Sequence, residues 1–339
     1  MNKTLKIILN FVIFPSVGIL LLYLAFKNVD IQKLWYELKG ANFYWVGVSL
    51  ALAITGFYSR ALRWKILIEP LGYNPSNKNT FLAVFIAYFA NIGMPRLGEI
   101  TRCGSLNKTD NIPVDKLFGT VITERLIDFL CLLLIIGFVL IVKFKQVSGF
   151  FIDNIFHPLF NKYFSSPTFW IIFILSAITF IVLLLLFRKK LLQISLIKKA
   201  VSFFTGLTSG LKSIFKMKKV GLFFFHTVLI WSMYILMTYA AFFSIKETSN
   251  LSFLDSIFVL TIGGLGMSVP VTNGFGAYHW IVALGVNMLL GIQSTDISNS
   301  PGLLFATICH ESQTFMVLLL GPIALFMVFF AKKRKTVNN

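Results

Sequence analysis

The first candidate site is a polar segment after a short apolar run, with Asn91, Pro95, Arg96, Gly98, Glu99 and Arg102. Arg96 and Glu99 are three residues apart, as are Glu99 and Arg102, so a helix would place each pair on one face. Two arginines beside a carboxylate suit a phosphate group, because the planar guanidinium fork matches phosphate oxygens. A cytoplasmic loop that carries a solvated ion pair would show the same spacing, and the sequence leaves both interpretations open.

A second group of charges opens an apolar run and consists of Glu124, Arg125 and Asp128. Glu124 and Asp128 are four residues apart and would share a helical face. If the helix begins at Thr123, the group lies at the membrane interface, where acidic side chains are favoured near a helix amino end. An ion pair between this helix and Arg96 or Arg102 would lock the first segment in place. The sequence fits this structural role and a substrate-binding role equally well.

The third group surrounds a second polar break and continues into the last apolar run, with Pro270, Asn273, Gly274, Gly276, His279, His310 and Glu311. The two histidines are 31 residues apart and no HExxH spacing is present, so the pattern predicts neither a metal site nor a cofactor. Because histidine titrates near neutral pH, a proton-handling or hydrogen-bonding pair is favoured, with a buried and satisfied histidine as the alternative. The glycines are explained by backbone freedom at the break.

The composition shows where these groups must lie. Of the 339 residues, 57% are apolar and 13% are charged, whereas a soluble globular protein carries about 25% charged residues. The composition therefore excludes a soluble protein and predicts an all-α polytopic membrane protein. Ionisable groups within the apolar layer are costly, which makes the three groups functional candidates. The sequence contains no Walker A or GxSxG motif and no catalytic residue is predicted, so we expect a protein that is not an enzyme.

A membrane-spanning helix needs about 20 mainly apolar residues. Six runs are predicted to span, at residues 7–26, 43–60, 123–142, 169–187, 222–243 and 303–330. Two further apolar regions, 81–105 and 253–291, are interrupted by proline and glycine. Broken backbone at membrane depth is tolerated only where protein buries it or where it lines a wet cavity. Each broken region is therefore predicted to be a re-entrant hairpin or a discontinuous helix.

The order of span, span, broken segment and span occurs twice, in residues 1–142 and 168–331. The first half begins inside and the second outside, which predicts two inverted-topology halves. Residues 143–167 would form an outer loop and residues 332–339 a basic cytoplasmic tail. Many secondary transporters share this organisation, with the substrate site between the halves. A chance coincidence of two hairpins is the alternative.

The basic residues predict the orientation. In this topology 23 of the 31 Lys and Arg residues lie on one side and seven on the other, so the positive-inside rule places both termini in the cytoplasm. Residues 198–219 combine lysines with apolar residues at helical spacing. This pattern predicts an amphipathic helix that is attracted to anionic lipid on the cytoplasmic surface of the inner membrane, or that only marks topology. No motif for stacking or base reading accompanies the charge of +18, so nucleic acid is not a predicted partner.

Three motifs resemble the transmembrane-region family of lysylphosphatidylglycerol synthases, also described as flippase-like integral membrane proteins. They are Asn91-Ile-Gly-Met-Pro-Arg-Leu-Gly-Glu-Ile-Thr-Arg102, Glu124-Arg125-x-x-Asp128 and Pro270-Val-Thr-Asn-Gly-Phe-Gly276, in that order and within a matching hydropathy profile. The resemblance implies a membrane module that moves lipids between leaflets. Because the chain ends at Asn339, we expect a stand-alone module without the soluble synthase domain.

The chain departs from the pattern of that family at three positions. The family usually has a glycine where Asn273 stands, a glutamate where His279 stands and an arginine near the position of His310. Two histidines keep polar partners but not fixed charges. The departures therefore bear on the lipid that is bound and on any coupling to protons.

Together these observations predict a transporter that carries a phosphate-bearing lipid, of phospholipid or polyprenyl-phosphate type, across the cytoplasmic membrane. Arg96 and Arg102 would contact phosphate. The carboxylates of the first two groups, with Arg125, would hold the site or couple to protons, and the third group would form the opposite wall. The alternatives are a lipid-modifying enzyme with Glu99 or Asp128 as general base and a membrane partner subunit of a separate synthase or glycosyltransferase. The sequence leaves the oligomeric state open.

Overall fold

The computed structural model describes residues 30–144, 217–269, 271–292 and 296–331, together with isolated positions at 20, 23, 148 and between 167 and 179. All regular secondary structure in these residues is helical, which confirms the predicted all-α class. The chain divides into two compact units, one of Met1–Ile136 with Met217–Asn339 and one of Gly137–Lys216. All the contacts discussed below lie within the first unit.

The helices described in the first half are α1 Ile31–Lys39, α2 Phe43–Ile68, α3 Asn77–Gly93, α4 Leu97–Asp110 and α5 Val114–Val142. Short polar side chains begin the first three of them. Asp30, Asn42 and Ser76 each accept a hydrogen bond from a backbone N–H in the first turn. These bonds satisfy donors that have no carbonyl partner at a helix start.

The helices described in the second half are α6 Val220–Phe242, α7 Phe253–Ser268, α8 Ala277–Leu289 and α9 Pro301–Phe329. Ser252 and Asp255 form a reciprocal capping box at the start of α7, and Ser300 caps α9 with Pro301 in its first turn. Proline suits this position because its missing N–H would have no helical partner there. Sequence signals of this kind set the helix starts.

The first broken region consists of α3 and α4, which pack against each other across a break at residues 94–96. Arg96 adopts a left-handed conformation, with φ 64°, immediately before α4. Gly98 lies so close to α3 that an added Cβ would be 2.3 Å from the carbonyl oxygen of Ala87. The amide oxygen of Asn91 accepts a hydrogen bond from the Gly98 N–H at 2.7 Å. Only glycine therefore permits this contact between the two helices.

The second broken region consists of α7 and α8, which also pack against each other. Between them lie residues 269–276, in which Asn273, Gly274 and Gly276 have φ values of 50°, 69° and 77°. Positive φ at three positions ends one helix and redirects the chain into the next. Pro270 lies outside the described residues. Both regions that the sequence predicted to be broken are therefore interrupted helices.

Four helices among the described residues are long and apolar enough to cross a membrane, namely Phe43–Leu71, Val114–Val142, Val220–Phe242 and Pro301–Phe329. They correspond to four of the six predicted spans. The expectation that the third span begins at Thr123 is wrong, because α5 begins at Val114. The added turns bury Leu117 and Val121, and Asp115 and Lys116 in this stretch resembled loop residues in the sequence. Glu124 and Asp128 consequently lie well inside the helix.

Polar contacts join α2 to α6 along much of their length. The Ser49 hydroxyl donates to the carbonyl oxygen of Met237 at 3.0 Å, and the Ser59 hydroxyl lies 2.9 Å from Nδ1 of His226. Within lipid, helices associate through close packing and such interhelical hydrogen bonds rather than through a hydrophobic driving force. These contacts hold the first half against the second.

Several predicted segments lie outside the described residues. They are most of the span at 7–26, the loop at 143–167, most of the span at 169–187, the amphipathic segment up to residue 216, and the tail at 332–339. The order of long helix, helix pair and long helix is present in both described halves. The inverted relation between the halves stays a prediction.

Candidate functional site

The first site is a buried network of ion pairs, here called the arginine cluster, formed by Arg60, Arg63, Arg102, Glu124 and Asp128. Nη1 of Arg60 donates to Glu124 at 2.7 Å and to Asp128 at 2.9 Å. Nη2 of Arg63 donates to Asp128 at 2.6 Å and lies 3.5 Å from Glu124. Nη1 of Arg102 donates to Glu124 at 3.0 Å. The cluster thus joins α2, α4 and α5.

Helical spacing explains the network. Arg60 and Arg63 are three residues apart on α2, and Glu124 and Asp128 are four apart on α5, so each pair occupies one face. The two carboxylates are shared among three guanidinium groups, and Glu124 has no exposed side-chain surface. Charges in such a setting persist only with partners, because the interior screens them weakly. The cluster carries an excess of one positive charge.

Arg102 is the member of the cluster that comes from the first broken region. The predicted ion pair between this region and the third span is present as the contact of Arg102 with Glu124. The guanidinium also lies over the ring of Trp64, 4.5 Å from its centroid, and the Trp64 indole N–H donates to the Thr120 hydroxyl at 2.8 Å. Nε and Nη2 of Arg102 have no hydrogen-bond acceptor in the described part of the chain. These two donors are buried.

Of the other predicted residues in the first two groups, Gly98 is buried between α3 and α4, and the rest are partly or fully exposed. Arg96 is exposed and Pro95 is half-buried. Oε1 of Glu99 lies 3.2 Å from Nη2 of Arg125 in an ion pair, and nearly half of the Arg125 side chain is exposed. Arg125 therefore pairs with Glu99 of the first broken region.

The second site, here called the histidine cluster, contains His279, His310 and Glu311. Oε1 of Glu311 lies 3.2 Å from Nε2 of His279 and 3.1 Å from Nδ1 of His310. Nε2 of His310 lies 2.8 Å from the backbone carbonyl oxygen of Asn273. The Asn273 side-chain N–H donates to the Thr314 hydroxyl at 3.0 Å. The ligating atoms of the three cluster residues all lie within 4.8 Å of one another, which is close enough to hold a metal ion.

The backbone of the second break positions the histidine cluster. The turn at Asn273 and Gly274 directs the Asn273 carbonyl toward α9, and α8 begins just before His279. His279 is fully buried and His310 nearly so. The rings of Phe275 and Tyr278 each lie 5.1 Å from that of His310. This packing limits the movement of the His310 ring.

A cavity of about 250 Å³ lies between the two halves of the first unit. Its wall is mainly apolar, and its polar lining comes from Ser49, Tyr88, Tyr234, Thr238, Asn273, Tyr278, His310, Gln313 and Thr314. The hydroxyl of Tyr234 accepts from Nε of Arg60 at 3.4 Å and lies 3.5 Å from the hydroxyl of Tyr88. The cavity is thus linked to the arginine cluster through Tyr234 and is lined directly by His310 of the histidine cluster.

Comparison with known proteins places the chain in a family. The family model described as the lysylphosphatidylglycerol synthase TM region matches residues 7–321. The chain belongs to this family. A UPF0104 membrane protein of Methanocaldococcus jannaschii is 32% identical over 135 residues, which cover 38% of this chain and 40% of that relative. No solved structure matches the chain. The family match and the four long apolar helices establish a multi-pass membrane protein.

Four residues of the arginine cluster or the cavity were not among the predicted site residues. They are Arg60, Arg63, Tyr88 and Tyr234. The two arginines follow an apolar run and resembled cytoplasmic charges that flank a span. One signal could have identified them, because Ile66, Leu67 and Ile68 continue the apolar pattern beyond the arginines and are all buried. A charge between two apolar stretches of one helix is a candidate for burial. No comparable sequence pattern indicates a role for the two tyrosines.

Proposed function

We propose that this protein moves a phosphate-bearing lipid between the leaflets of the cytoplasmic membrane, with both termini on the cytoplasmic side. The observation that carries the proposal is a cavity between the two halves that is joined by Tyr234 to a buried cluster with excess positive charge. Membership of a family named for lysylphosphatidylglycerol synthases supports a lipid as the ligand.

The charge of the arginine cluster supports an anionic group in the lipid. A buried positive charge without a counter-ion is costly, and a phosphate would supply the missing negative charge. Arginine suits phosphate because it presents several donors in a plane. Arg102 retains two such donors that have no acceptor in the described residues. Arg96, which is exposed on the same hairpin, would contact the phosphate first.

The size and lining of the cavity support transport of a headgroup. At about 250 Å³ it is smaller than most pockets for drug-sized ligands. It therefore suits a polar headgroup while the acyl chains stay in the surrounding lipid. Broken helices border it from both halves through Ile92 and Asn273, and such breaks commonly mark the substrate site of transporters.

We propose transport without any catalysed reaction. The alternative of a lipid-modifying enzyme would need a carboxylate that accepts a proton, and Glu99 and Asp128 both have oxygens engaged by arginine side chains. A partner-subunit role would leave the purified protein without transfer activity. Attraction of residues 198–219 to anionic lipid remains part of the proposal and concerns a segment that lies mostly outside the described residues.

Transfer of lipid by the purified, full-length protein in liposomes tests the proposal. A fluorescent phospholipid is placed in both leaflets, and an impermeant reductant bleaches the outer one. We expect the inner-leaflet fluorescence to become accessible in the presence of the protein, and a fluorescent lipid that lacks phosphate to be transferred more slowly. Mass spectrometry should find the phospholipid unchanged. A new lipid product would support the enzyme instead, and the absence of transfer would refute the transporter.

Tyr234→Phe tests the link between the cavity and the arginine cluster. Loss of one hydroxyl that bonds to a charged group is expected to slow transfer about tenfold, since such a bond contributes about 1.5–3 kcal/mol. Tyr239→Phe is the matched control on the same helix, because its ring packs on Phe242, Phe243 and Phe253. Equal rates for the two variants would contradict the assigned role of Tyr234.

A further inference from the structure

The histidine cluster brings together three groups that commonly bind transition metals. We propose that His279, His310 and Glu311 form a binding site for a divalent transition-metal ion of the zinc class. The ligands would be Nε2 of His279, Nδ1 of His310 and Oε1 of Glu311. This site goes beyond the proposed lipid transport and does not depend on it.

The distances fit a tetrahedral centre. Zinc binds nitrogen and oxygen ligands at about 2.0–2.1 Å, so neighbouring ligand atoms in a tetrahedron are about 3.3 Å apart. Oε1 of Glu311 lies 3.2 Å from one histidine nitrogen and 3.1 Å from the other. All three atoms lie within 4.8 Å of one another. A small movement of one ring would place the three around a single ion.

The tautomer of His310 provides a second, independent observation. A backbone carbonyl oxygen can only accept a hydrogen bond, so Nε2 of His310 must carry the proton that faces Asn273 at 2.8 Å. In the neutral imidazole Nδ1 then presents a lone pair toward Glu311 Oε1, which is also an acceptor, at 3.1 Å. Two acceptors at this distance need either a proton or a metal ion between them.

A metal ion can join all three groups of the cluster. Protons on Nδ1 of His310 and on Nε2 of His279 would each satisfy one contact to Oε1, whereas a metal ion would be shared by both imidazoles and the carboxylate. Ligating histidines usually donate their other N–H to a carbonyl or carboxylate, as His310 does to Asn273. The contact of Asn273 with Thr314 holds that carbonyl in place.

The ligand types indicate the class of ion. Two imidazoles and one carboxylate favour zinc and its neighbours among the transition metals over Mg²⁺ and Ca²⁺, which prefer oxygen ligands. Three protein ligands leave a fourth position for water or for an oxygen of a bound molecule. His310 also lines the cavity, so an ion here would lie beside the space assigned to the headgroup.

Metal binding is measured on the full-length protein in detergent, without any lipid-transfer assay. The protein is stripped with a chelator, exposed to Zn²⁺ and desalted, and its metal content is determined by mass spectrometry. We expect one Zn²⁺ per chain and a higher midpoint of thermal unfolding in its presence. Co²⁺ should give the intense visible absorption of a tetrahedral site. A stripped, folded protein that retains no Zn²⁺ and shows no shift would overturn the proposal and leave a shared proton as the explanation.

Variants locate the site. Glu311→Gln, which keeps the size of a partly exposed side chain, is expected to raise the Kd for Zn²⁺ at least about a hundredfold, and His310→Gln is expected to do the same. His226→Gln is the control, because His226 is a buried histidine that bonds to Ser59 on another pair of helices. If the control loses as much Zn²⁺ as Glu311→Gln, the ion is bound elsewhere and the assignment is wrong. Since the readout is metal content, a failure of lipid transport would not change these outcomes.

Discussion

The arginine cluster and the histidine cluster hold their carboxylates in different ways. In the first, every carboxylate is shared between arginines, which stay ionised under all ordinary conditions. In the second, one carboxylate faces two imidazoles, whose charge depends on what they bind. The first cluster is therefore a permanent charged scaffold, whereas the second can gain or lose a cation.

The difference also assigns the clusters different mechanical roles. The arginine cluster connects α2, α4 and α5, so it fixes the first broken region against two long helices. The histidine cluster connects α8, α9 and the break at Asn273, and one of its members lines the cavity. We infer that the arginine cluster stabilises the fold and supplies positive charge. The histidine cluster sets the charge of the cavity wall at His310.

The largest expected effect follows from Glu124→Gln. This change leaves three guanidinium groups with the single carboxylate of Asp128, and breaking a buried ion pair costs about 3–5 kcal/mol. The midpoint of thermal unfolding in detergent should fall sharply. Glu37→Gln is the control, because Glu37 pairs with Lys33 at 3.8 Å on a partly exposed helix and should change stability by less than about 1 kcal/mol. Similar unfolding midpoints for both variants would show that the buried carboxylate of Glu124 contributes no more to stability than a surface carboxylate does.

Thr314→Val should affect the histidine cluster without removing a ligand. The change deletes the acceptor that holds the Asn273 side chain, so the carbonyl that orients His310 loses its anchor. Loss of such an outer contact typically weakens metal binding 10–100-fold; we expect a rise of about tenfold in the Kd for Zn²⁺. Thr307→Val is the control on the same helix, since its hydroxyl bonds only to the Leu303 carbonyl among the described residues. An unchanged Kd for Thr314→Val would show that the break does not orient the site.

The smallest effect is expected for Arg125→Gln. Arg125 and Glu99 form an ion pair of 3.2 Å, but the Arg125 side chain is about half exposed, and such pairs contribute about 0–1 kcal/mol. The free energy of unfolding should hardly change. Arg102→Gln, which breaks a pair of similar length in the interior, should cost several times more. If both variants have the same free energy of unfolding, burial does not make the Arg102 ion pair more stabilising than the Arg125 ion pair.

Local patterns in the sequence were sufficient to predict much of this molecule. Apolar runs predicted the long helices, and proline with glycine marked both breaks. The charges in those breaks were recognised as out of place in lipid, and an ion pair between the third span and either Arg96 or Arg102 was predicted, of which the structure contains the pair with Arg102. Each of these features depends on residues within one or two helical turns, or on the cost of a charge in an apolar layer.

The partners of the charged residues could not be predicted in the same way. Arg60 and Arg63 join the cluster because α2 continues to Ile68 and packs beside α5, which is a tertiary result. Likewise, 31 residues separate His279 from His310 in the sequence, and only the packing of α8 on α9 brings them together. A spacing rule such as HExxH applies within one helix and does not detect side chains that two helices bring together.

Blocking the cavity tests the central claim most directly. Val259 on α7 lines the cavity and is 1% exposed, so Val259→Phe would place a phenyl ring in the proposed headgroup space. Val228→Phe makes the same change on α6 at a side chain that is 66% exposed. We predict that wild type and Val228→Phe transfer fluorescent phospholipid across liposomes at equal rates, and that folded Val259→Phe is at least about tenfold slower. Transfer by Val259→Phe at the wild-type rate would contradict the account.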